Sequence, residues 1–387
     1  MGIRMGVCGV GSFAECFIPL FKAHPGVENV VLCDLDAAKL AARCEQFGIA
    51  DRAASLDELC GMDLEAIAII TQHHLHGPQA VQALRANKHV YSAVPSAITV
   101  SEMTALVRAV EETGRVYMVG ETSTYYPCAI YCRERFRRGD FGHAVYAEAE
   151  YYHDYAHGLY DVARSRHGAD WERWYGMPPL FYPTHSTSMV VSVTGAHALR
   201  VAGMGFTDRH PDGLYSRPDN VWRNPLSNET VLCAMSDGSV ARLNEFRRVG
   251  HPGTVGMSLY GTEASYEEQV GGKMWVTKDR STCEDVSARL ACRDITFEGR
   301  LYRGVSDVHP LERLPAAFDG LPNSHEGSHQ FLVHDFVMAC LGEPLEMNHV
   351  WDAARYLLPG LTGHASALNG GALLDVPDLG DAPARQA

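Results

Sequence analysis

Met5-Gly6-Val7-Cys8-Gly9-Val10-Gly11-Ser12-Phe13-Ala14 is the stretch whose reading decides the fold. A short apolar run, Ile3 to Cys8, reads as a buried strand. It breaks into Gly-x-Gly-x-x-Ala and then into an apolar-periodic segment, Phe13 to Ala23, that reads as a helix. Gly9 permits the tight turn, and Gly11 leaves room for a pyrophosphate beside the backbone. Ala14 lets helix and strand pack closely, and the free N–H groups at the helix start face an anion. A second apolar run, Asn29 to Cys33, ends in Asp34, twenty positions after Ala14, where a ribose-binding carboxylate is expected. Together these point to dinucleotide binding. Asp34 favours NAD over NADP, since a carboxylate repels the extra phosphate; Arg52 or Lys39 would be the residues to offset it.

At 387 residues the chain is long for one domain, and two are expected. A hydrophobic content of 46% and a charged content of 21% fit a globular enzyme. A net charge of −14 argues against nucleic acid and against an anionic membrane surface. No apolar run is long enough to span a bilayer and no signal peptide opens the sequence, so a cytoplasmic protein is expected. The 11 cysteines are scattered without Cys-x-x-Cys pairs and read as reduced thiols. The tail after Asp375 looks loosely structured.

Strand and helix alternate through the first third. Ser55-Leu56-Asp57-Glu58 and Thr99-Val100-Ser101-Glu102 both fit the capping box, so helices start there. Ala66–Thr71, His89–Ser92 and Val116–Gly120 read as strands, and Pro78–Ala86 and Ser101–Glu112 as helices, the latter stopped by Gly114. That alternation means a doubly wound parallel sheet, an α/β Rossmann domain over residues 1–122. Ligands bind at the carboxyl ends of such strands. Gly9, Gly11, Ser12, Phe13, Ala14, Asp34, Thr71, His73, His76, Ala93, Val94 and Glu121 are therefore the expected cofactor contacts.

The pattern then changes, and residues 123–387 read as an α+β domain. Val145 to Asp154 alternates as a long strand, with Tyr146, Glu148, Glu150 and Tyr152 on one face. Val145, Ala147, Ala149, Tyr151 and His153 lie on the other. Thr230–Met235 and Val240–Glu245 flank Ser236-Asp237-Gly238-Ser239, a hairpin signal. Short strands follow at Met257–Tyr260, Ala264–Glu267 and Met274–Thr277. This is a mostly antiparallel, open-faced sheet, with helices over Pro127–Arg137 and Thr187–Ala202 covering one side. Further helices are expected at Ser328–Cys340 and Val350–Leu368, the latter interrupted by Pro359, packed on the second domain or the domain junction.

Three strings carry a family resemblance: Gly9–Ala14, then Thr71-Gln72-His73-His74-Leu75-His76, then Lys88-His89-Val90-Tyr91-Ser92-Ala93-Val94-Pro95. With their spacing, the chain resembles the Gfo/Idh/MocA family of sugar oxidoreductases. The resemblance implies an NAD(P)-binding Rossmann domain, a C-terminal sheet domain, and sugar, inositol or glycoside substrates. It also implies subunits paired through the open face of the sheet, as a homodimer or homotetramer.

One motif departs from the family. Members usually carry Glu-Lys-Pro at the positions of Ala93-Val94-Pro95, and the lysine assists proton transfer from the reacting hydroxyl. Val94 cannot do that, so another proton carrier is required. The candidates lie in Phe181-Tyr182-Pro183-Thr184-His185-Ser186-Thr187. His185 corresponds to the histidine that members place at the reacting carbon. The Tyr-Pro-Thr-His string also resembles a lysine-less subgroup that cleaves glycosidic bonds with a recycled NAD. His185 is the expected acid/base, with Tyr182, Tyr152 or His153 assisting. Tyr125, Asp154, His325 and Glu326 are the expected substrate contacts. His153-Asp154-x-x-His157 and His325-x-x-x-His329 are also conceivable metal pairs. With 19 histidines chance pairs are common, and no metal is expected. The expected function is hydride transfer at a ring hydroxyl of a sugar, polyol or glycoside. The alternatives are a redox-neutral NAD-dependent glycoside hydrolase and a non-catalytic NAD-binding sensor.

Overall fold

The computed structural model describes residues 2–297 and 299–383. The chain forms two compact units. One comprises everything up to Pro127, Arg289–Ala354 and the segment from Leu379 on; the other comprises Cys128–Ala288 and Arg355–Asp378. The units interleave along the chain rather than follow one another.

The first unit is built on six strands: β1 (Ile3–Cys8), β2 (Val27–Cys33), β3 (Arg52–Ala53), β4 (Ala66–Ile69), β5 (His89–Ser92) and β6 (Tyr117–Val119). All pairs are parallel, in the order β3-β2-β1-β4-β5-β6. Parallel strands covered on both faces are apolar throughout, and every residue of β4, Ala66-Ile67-Ala68-Ile69, is buried. The helices between them are α1 (Ile18–Ala23), α2 (Ala37–Phe47), α3 (Leu56–Gly61), α4 (His76–Arg85) and α5 (Val100–Thr113). Both N-caps form: Ser55 accepts from the Glu58 N–H at 3.2 Å and Thr99 from the Glu102 N–H at 3.1 Å, while the glutamates reach back one residue further, to the N–H groups of Ala54 and Ile98. Gly114, at φ 62°, ends α5. Thr99→Ala is expected to cost about 1 kcal/mol, read as a lower urea midpoint with an unchanged slope.

The segment Phe13–Ala23 is not one helix. Ala14–Cys16 is a 3-10 turn, and the α-helix begins only at Ile18. Pro19 accounts for this, since a proline without N–H fits only the first turn of an α-helix.

The second unit opens with α6 (Pro127–Arg137) and β7 (Ala144–Tyr152), then α7 (Leu159–His167), α8 (Trp171–Trp174) and α9 (Thr184–Thr194). The remaining strands are β8 (Ala198–Thr207), β9 (Leu226–Met235), β10 (Val240–Phe246), β11 (Thr254–Gly261), β12 (Ala264–Gln269), β13 (Gly272–Thr277) and β14 (Cys283–Asp285). After α10 (Ser287–Leu290), the hairpin β15 (Asp294–Phe297) and β16 (Arg300–Arg303), and α11 (His329–Cys340) lie in the first unit. Then come α12 (Val350–Leu368) and β17 (Leu374–Asp375).

The nine-stranded sheet runs β14-β13-β12-β11-β7-β10-β9-β8-β17. It is antiparallel except for β7 beside β10, which are parallel. Ala147 and Ala149 of β7 are buried on the face packed against α9, as the alternation predicts.

Three expectations are corrected. Thr187–Ala202 is not helical throughout: Gly195, at φ 73°, caps α9, and Ala198 onward pairs with β9. Sheet pairing outweighs the apolar periodicity there. Pro359 does not interrupt α12. Gly360 and Gly363 seat that stretch closely on Leu180, Pro183 and Val231, and the packing compensates for one lost hydrogen bond. Finally, α11, expected on the second domain or the domain junction, lies in the first unit, against α1. In the tail, residues 376–383 carry no helix or strand, and 384–387 lie outside the described residues. Among the described residues no helix is long and apolar enough to cross a membrane.

Candidate active site

In the first unit, the loop after β1 is shaped by two glycines with different tasks. Gly9 sits at φ 90°, and a Cβ there would lie 2.4 Å from the carbonyl oxygen of Ile70. Gly11 has no heavy atom within 4 Å of where its Cβ would be. One glycine permits the turn and the other leaves the backbone approachable, which fits a pyrophosphate. Ser12 and Phe13 are the links between them and Ala14, which is fully buried. Asp34 directly follows β2, its carboxylate fixed by two backbone donors, Val10 N–H at 3.0 Å and Asp36 N–H at 2.9 Å. A carboxylate so held is preset for a ribose diol. Asp34→Ala is expected to weaken NAD binding about 10-fold or more and to narrow the preference over NADP, read by NADH fluorescence titration.

The other expected cofactor contacts lie at the ends of neighbouring strands. Thr71 donates its hydroxyl to Gln79 at 2.6 Å. His76 places its two ring nitrogens at 2.9 Å from the Pro95 carbonyl and 3.1 Å from that of Thr71, tying the β4 and β5 loops together. His73 packs edge-on against His76. Ala93 and Val94 are buried, and Glu121 is fully buried, accepting the Ser123 N–H at 2.9 Å. Of the residues named to offset Asp34, Lys39 lies 3.9 Å from Asp36 and Arg52 is exposed. Sequence reasoning missed Arg43 and Arg300, which pair with the buried Glu15 just beyond the glycine loop.

Three of the four expected substrate contacts, Tyr125, His325 and Glu326, lie within this unit. Tyr125 is buried, donates to Asp335 and stacks on Phe331. Burial holds the Asp335 carboxyl above its usual range, against the pull of Arg313. His325 and Glu326 sit at φ 47° and 52°, an unusual backbone for residues with side chains. The His325 ring packs edge-on against Phe13 at 5.5 Å, which brings it to the glycine loop. It also stacks on His329, whose buried ring is held well below its usual pKa by desolvation.

The residues expected as proton carriers all lie in the second unit. His185, 6% exposed, lies in the first turn of α9. Its ring centroid is 5.2 Å from Tyr182 and 5.0 Å from Tyr151, edge to face in both cases. Tyr151 meets His153 Nδ1 at 2.5 Å. His153 Nε2 faces the His157 carbonyl at 3.3 Å, which can only accept, so Nε2 carries the proton and Nδ1 accepts from the Tyr151 hydroxyl. Burial, then Arg247, lowers the His153 pKa to about 4, so its ring is neutral at pH 7.

Tyr152 is not part of this group. It points to the opposite face of β7, stacks on Phe246 at 4.9 Å and bonds to Glu150 and Asn244, both at 3.2 Å. Tyr151 stands where Tyr152 was expected, and the period of two along β7 already put Tyr151 and His153 on one face. Asp154 is a turn residue, accepting the N–H groups of Ala156 at 2.9 Å and Val249 at 2.8 Å.

Beneath the group lie charges that no motif signals. Glu245 of β10, fully buried, pairs across the sheet with Tyr151. It accepts from Ser186 at 2.6 Å and from Arg247 at 3.1 Å. A second buried carboxylate, Glu229, accepts the Leu180 N–H at 3.0 Å and faces His364 Nδ1 at 2.6 Å, holding the loop that carries Tyr182. Among the described residues no cluster of three His, Cys, Asp or Glu could hold a metal ion.

Residues 3–121 match the family described as the Gfo/Idh/MocA oxidoreductase family, NAD-binding Rossmann fold. A glycosyl hydrolase family 109 protein of Saccharopolyspora erythraea is 29% identical over 202 residues, 49% of this chain and 44% of that protein. A protein of the same description from Streptomyces niveus is 25% identical over 408 residues, covering 97% of this chain and 77% of its own length. The chain spans under half the length of the first curated relatives it matches, 44% in each case. Among solved structures, levoglucosan dehydrogenase in complex with NADH and levoglucosan shares the fold, with a TM-score of 0.75 at 18% identity over 98% of this chain and all of that one. Residues 3–121, which carry the six parallel strands, thus match the NAD-binding Rossmann fold of the Gfo/Idh/MocA oxidoreductase family.

Proposed function

We propose that this chain is an NAD-dependent enzyme that acts on a ring hydroxyl of a sugar or glycoside, with net hydrolysis of a glycosidic bond as its reaction. The observation that carries the reading is the grouping of Tyr151, His153, Tyr182 and His185 in the second unit, in a chain with Val94 where the family has lysine. Oxidation of an alcohol needs one proton carrier. Cleavage through a transient ketone needs more: a base for the hydroxyl, a base for the carbon acid beside the ketone, and an acid for the departing oxygen. The four residues of two tyrosine–histidine couples cover these three roles.

Bound NAD supplies the acceptor, and later the donor, of one hydride. His185 takes the proton of the ring hydroxyl as the C–H hydride leaves, producing the ketone. The neighbouring C–H, now acidic, loses its proton to one couple, and the aglycone departs with a proton from the other. Water adds across the resulting double bond, and return of hydride and proton restores the alcohol. One water is consumed, one glycosidic bond is broken, and the cofactor ends as it began. Tyr182 and His153 are the assisting groups in this proposal, with Tyr151 in the place expected of Tyr152. The names of the relatives from Saccharopolyspora and Streptomyces support hydrolysis; the levoglucosan dehydrogenase likeness supports the fold.

The open face of the nine-stranded sheet exposes Met204, Phe206 and Leu232, and we propose it as the surface for a homodimer or homotetramer. Eleven free thiols suit a reducing cytoplasm.

The test is a panel of aryl glycosides and free sugars incubated with protein and NAD, following NADH absorbance and free aglycone together. Aglycone release without net NADH, abolished by stripping the cofactor, is the expected result. Stoichiometric NADH from a free sugar makes it a dehydrogenase that has replaced its lysine. Tight NAD binding with no turnover on any member overturns the enzymatic reading in favour of a sensor.

A further inference from the structure

Arg247 is buried, with 9% of its side chain exposed, in a place with little water to solvate its charge. Its guanidinium carbon lies 4.5 Å from the centroid of the Tyr151 ring. One amino group donates to Glu245 at 3.1 Å; the other donates to the backbone carbonyls of Tyr151 at 3.3 Å and Phe246 at 3.2 Å. The cation is thus locked against one ring face by a carboxylate from the strand just before it and by the backbone of the residue it covers. Glu245 in turn accepts from Ser186, the residue after His185, at 2.6 Å.

A cation over a phenol ring stabilises the phenolate more than the phenol, and the effect is larger away from water. A carboxylate just behind the cation opposes it. Desolvation pushes the Glu245 carboxyl up to about 7, against the pull of Arg247. The other titratable groups around Tyr151 are His153 on β7, His157 in the following turn, Tyr182 and His185 at the start of α9, and Tyr155 and Tyr215 beside Arg247. On β11 the residue paired with Tyr151 is Val255, which carries no charge. Arg247 is the guanidinium that covers the ring, and the His153 ring bonded to the Tyr151 hydroxyl is neutral at pH 7.

We propose that Arg247 is a positioning residue for Tyr151, its buried charge making the Tyr151 hydroxyl a proton carrier, with Glu245 grading how much of that charge reaches the ring. The proposal deepens the reading of Tyr151, His153, Tyr182 and His185 as the acid/base group and rests on it for its purpose. Its test does not.

The experiment labels all tyrosines of the full chain with carbon-13 at Cζ and follows their resonances against pH. Tyr151→Phe identifies the Tyr151 signal by its loss. Glu245→Gln keeps size, leaves an oxygen to accept from Arg247 and an amide that can donate to the Ser186 hydroxyl, but removes the opposing carboxylate, so the Tyr151 midpoint moves down, by about one pH unit. Arg247→Met with Glu245→Gln removes both charges, avoiding a lone buried ion, and the midpoint moves up. Opposite signs from two variants at one site are not produced by loosened packing. A midpoint unchanged in Glu245→Gln, or raised, overturns the proposal. If the double variant does not fold, the sign in Glu245→Gln alone decides. Both shifts found with no turnover on any glycoside would uphold the role of Arg247 and remove the hydrolase reading.

Discussion

His185→Ala lowers kcat by about 100- to 10,000-fold, the range for loss of a general acid/base, and leaves NAD binding intact. His185 lies in the second unit, whereas the glycine loop and Asp34 lie in the first, so cofactor affinity and turnover separate in this variant. The check is paired: NADH fluorescence titration for binding, and aglycone release for turnover on whichever glycoside the panel identifies. His185→Gln is the useful companion, because an amide fills much of the space between the Tyr151 and Tyr182 rings yet neither takes up nor releases a proton at neutral pH. Equal losses in Ala and Gln assign the effect to proton transfer. A loss in Ala that Gln restores assigns it to packing. Turnover unchanged in both removes His185 from the mechanism.

Gly9→Val is expected to destabilise the chain by about 2–5 kcal/mol, combining backbone strain with overpacking, and to abolish NAD binding. The side chain would have to enter at φ 90° with its Cβ 2.4 Å from a backbone oxygen of the neighbouring loop, so either strand β1 or the Ile70 carbonyl must move. Gly11→Ala is the control with the opposite signature. Its Cβ would meet nothing within 4 Å, so thermal stability is unchanged and only the space for pyrophosphate is lost. Calorimetry with and without NAD separates them: Gly9→Val lowers Tm in both conditions, and Gly11→Ala loses only the increment that NAD adds. A Gly9→Val protein as stable as wild type would contradict the tight turn drawn here.

How much could be read in advance follows from the range of the forces involved. β1 and β4 are mostly apolar runs, and the parallel order of the strands follows from the alternation with helices. The helix starts at Leu56 and Val100 are written in a serine or threonine and a glutamate three positions later, and both caps form as read. Gly9, Gly11 and Asp34 are legible because their tasks are set within a few bonds of each residue. At Tyr151 and Tyr152 the alternation along β7 was legible, but which face α9 would cover was not. Ala147 and Ala149 on the packed face settle it, and they carry Tyr151 with them toward His185. The helix reading of 195–202 failed for a related reason. Its apolar spacing suits either element, and pairing with β9 decides between them.

The sequence by itself determined the dinucleotide loop, the parallel sheet behind it, the alternating strands of the second half and the absence of the family lysine at Val94. These are properties of single residues or of short periods, and neighbours along the chain suffice to specify them. Tertiary structure alone decided that α11 returns to the first unit. It also decided that Tyr151 rather than Tyr152 meets His185, and that Glu245 and Arg247, far from any motif, lie beneath that pair. A strand's register exposes one set of alternate side chains to the site and turns the other away. A buried charge finds its partner only when strands distant in sequence have paired, so these choices are made by packing.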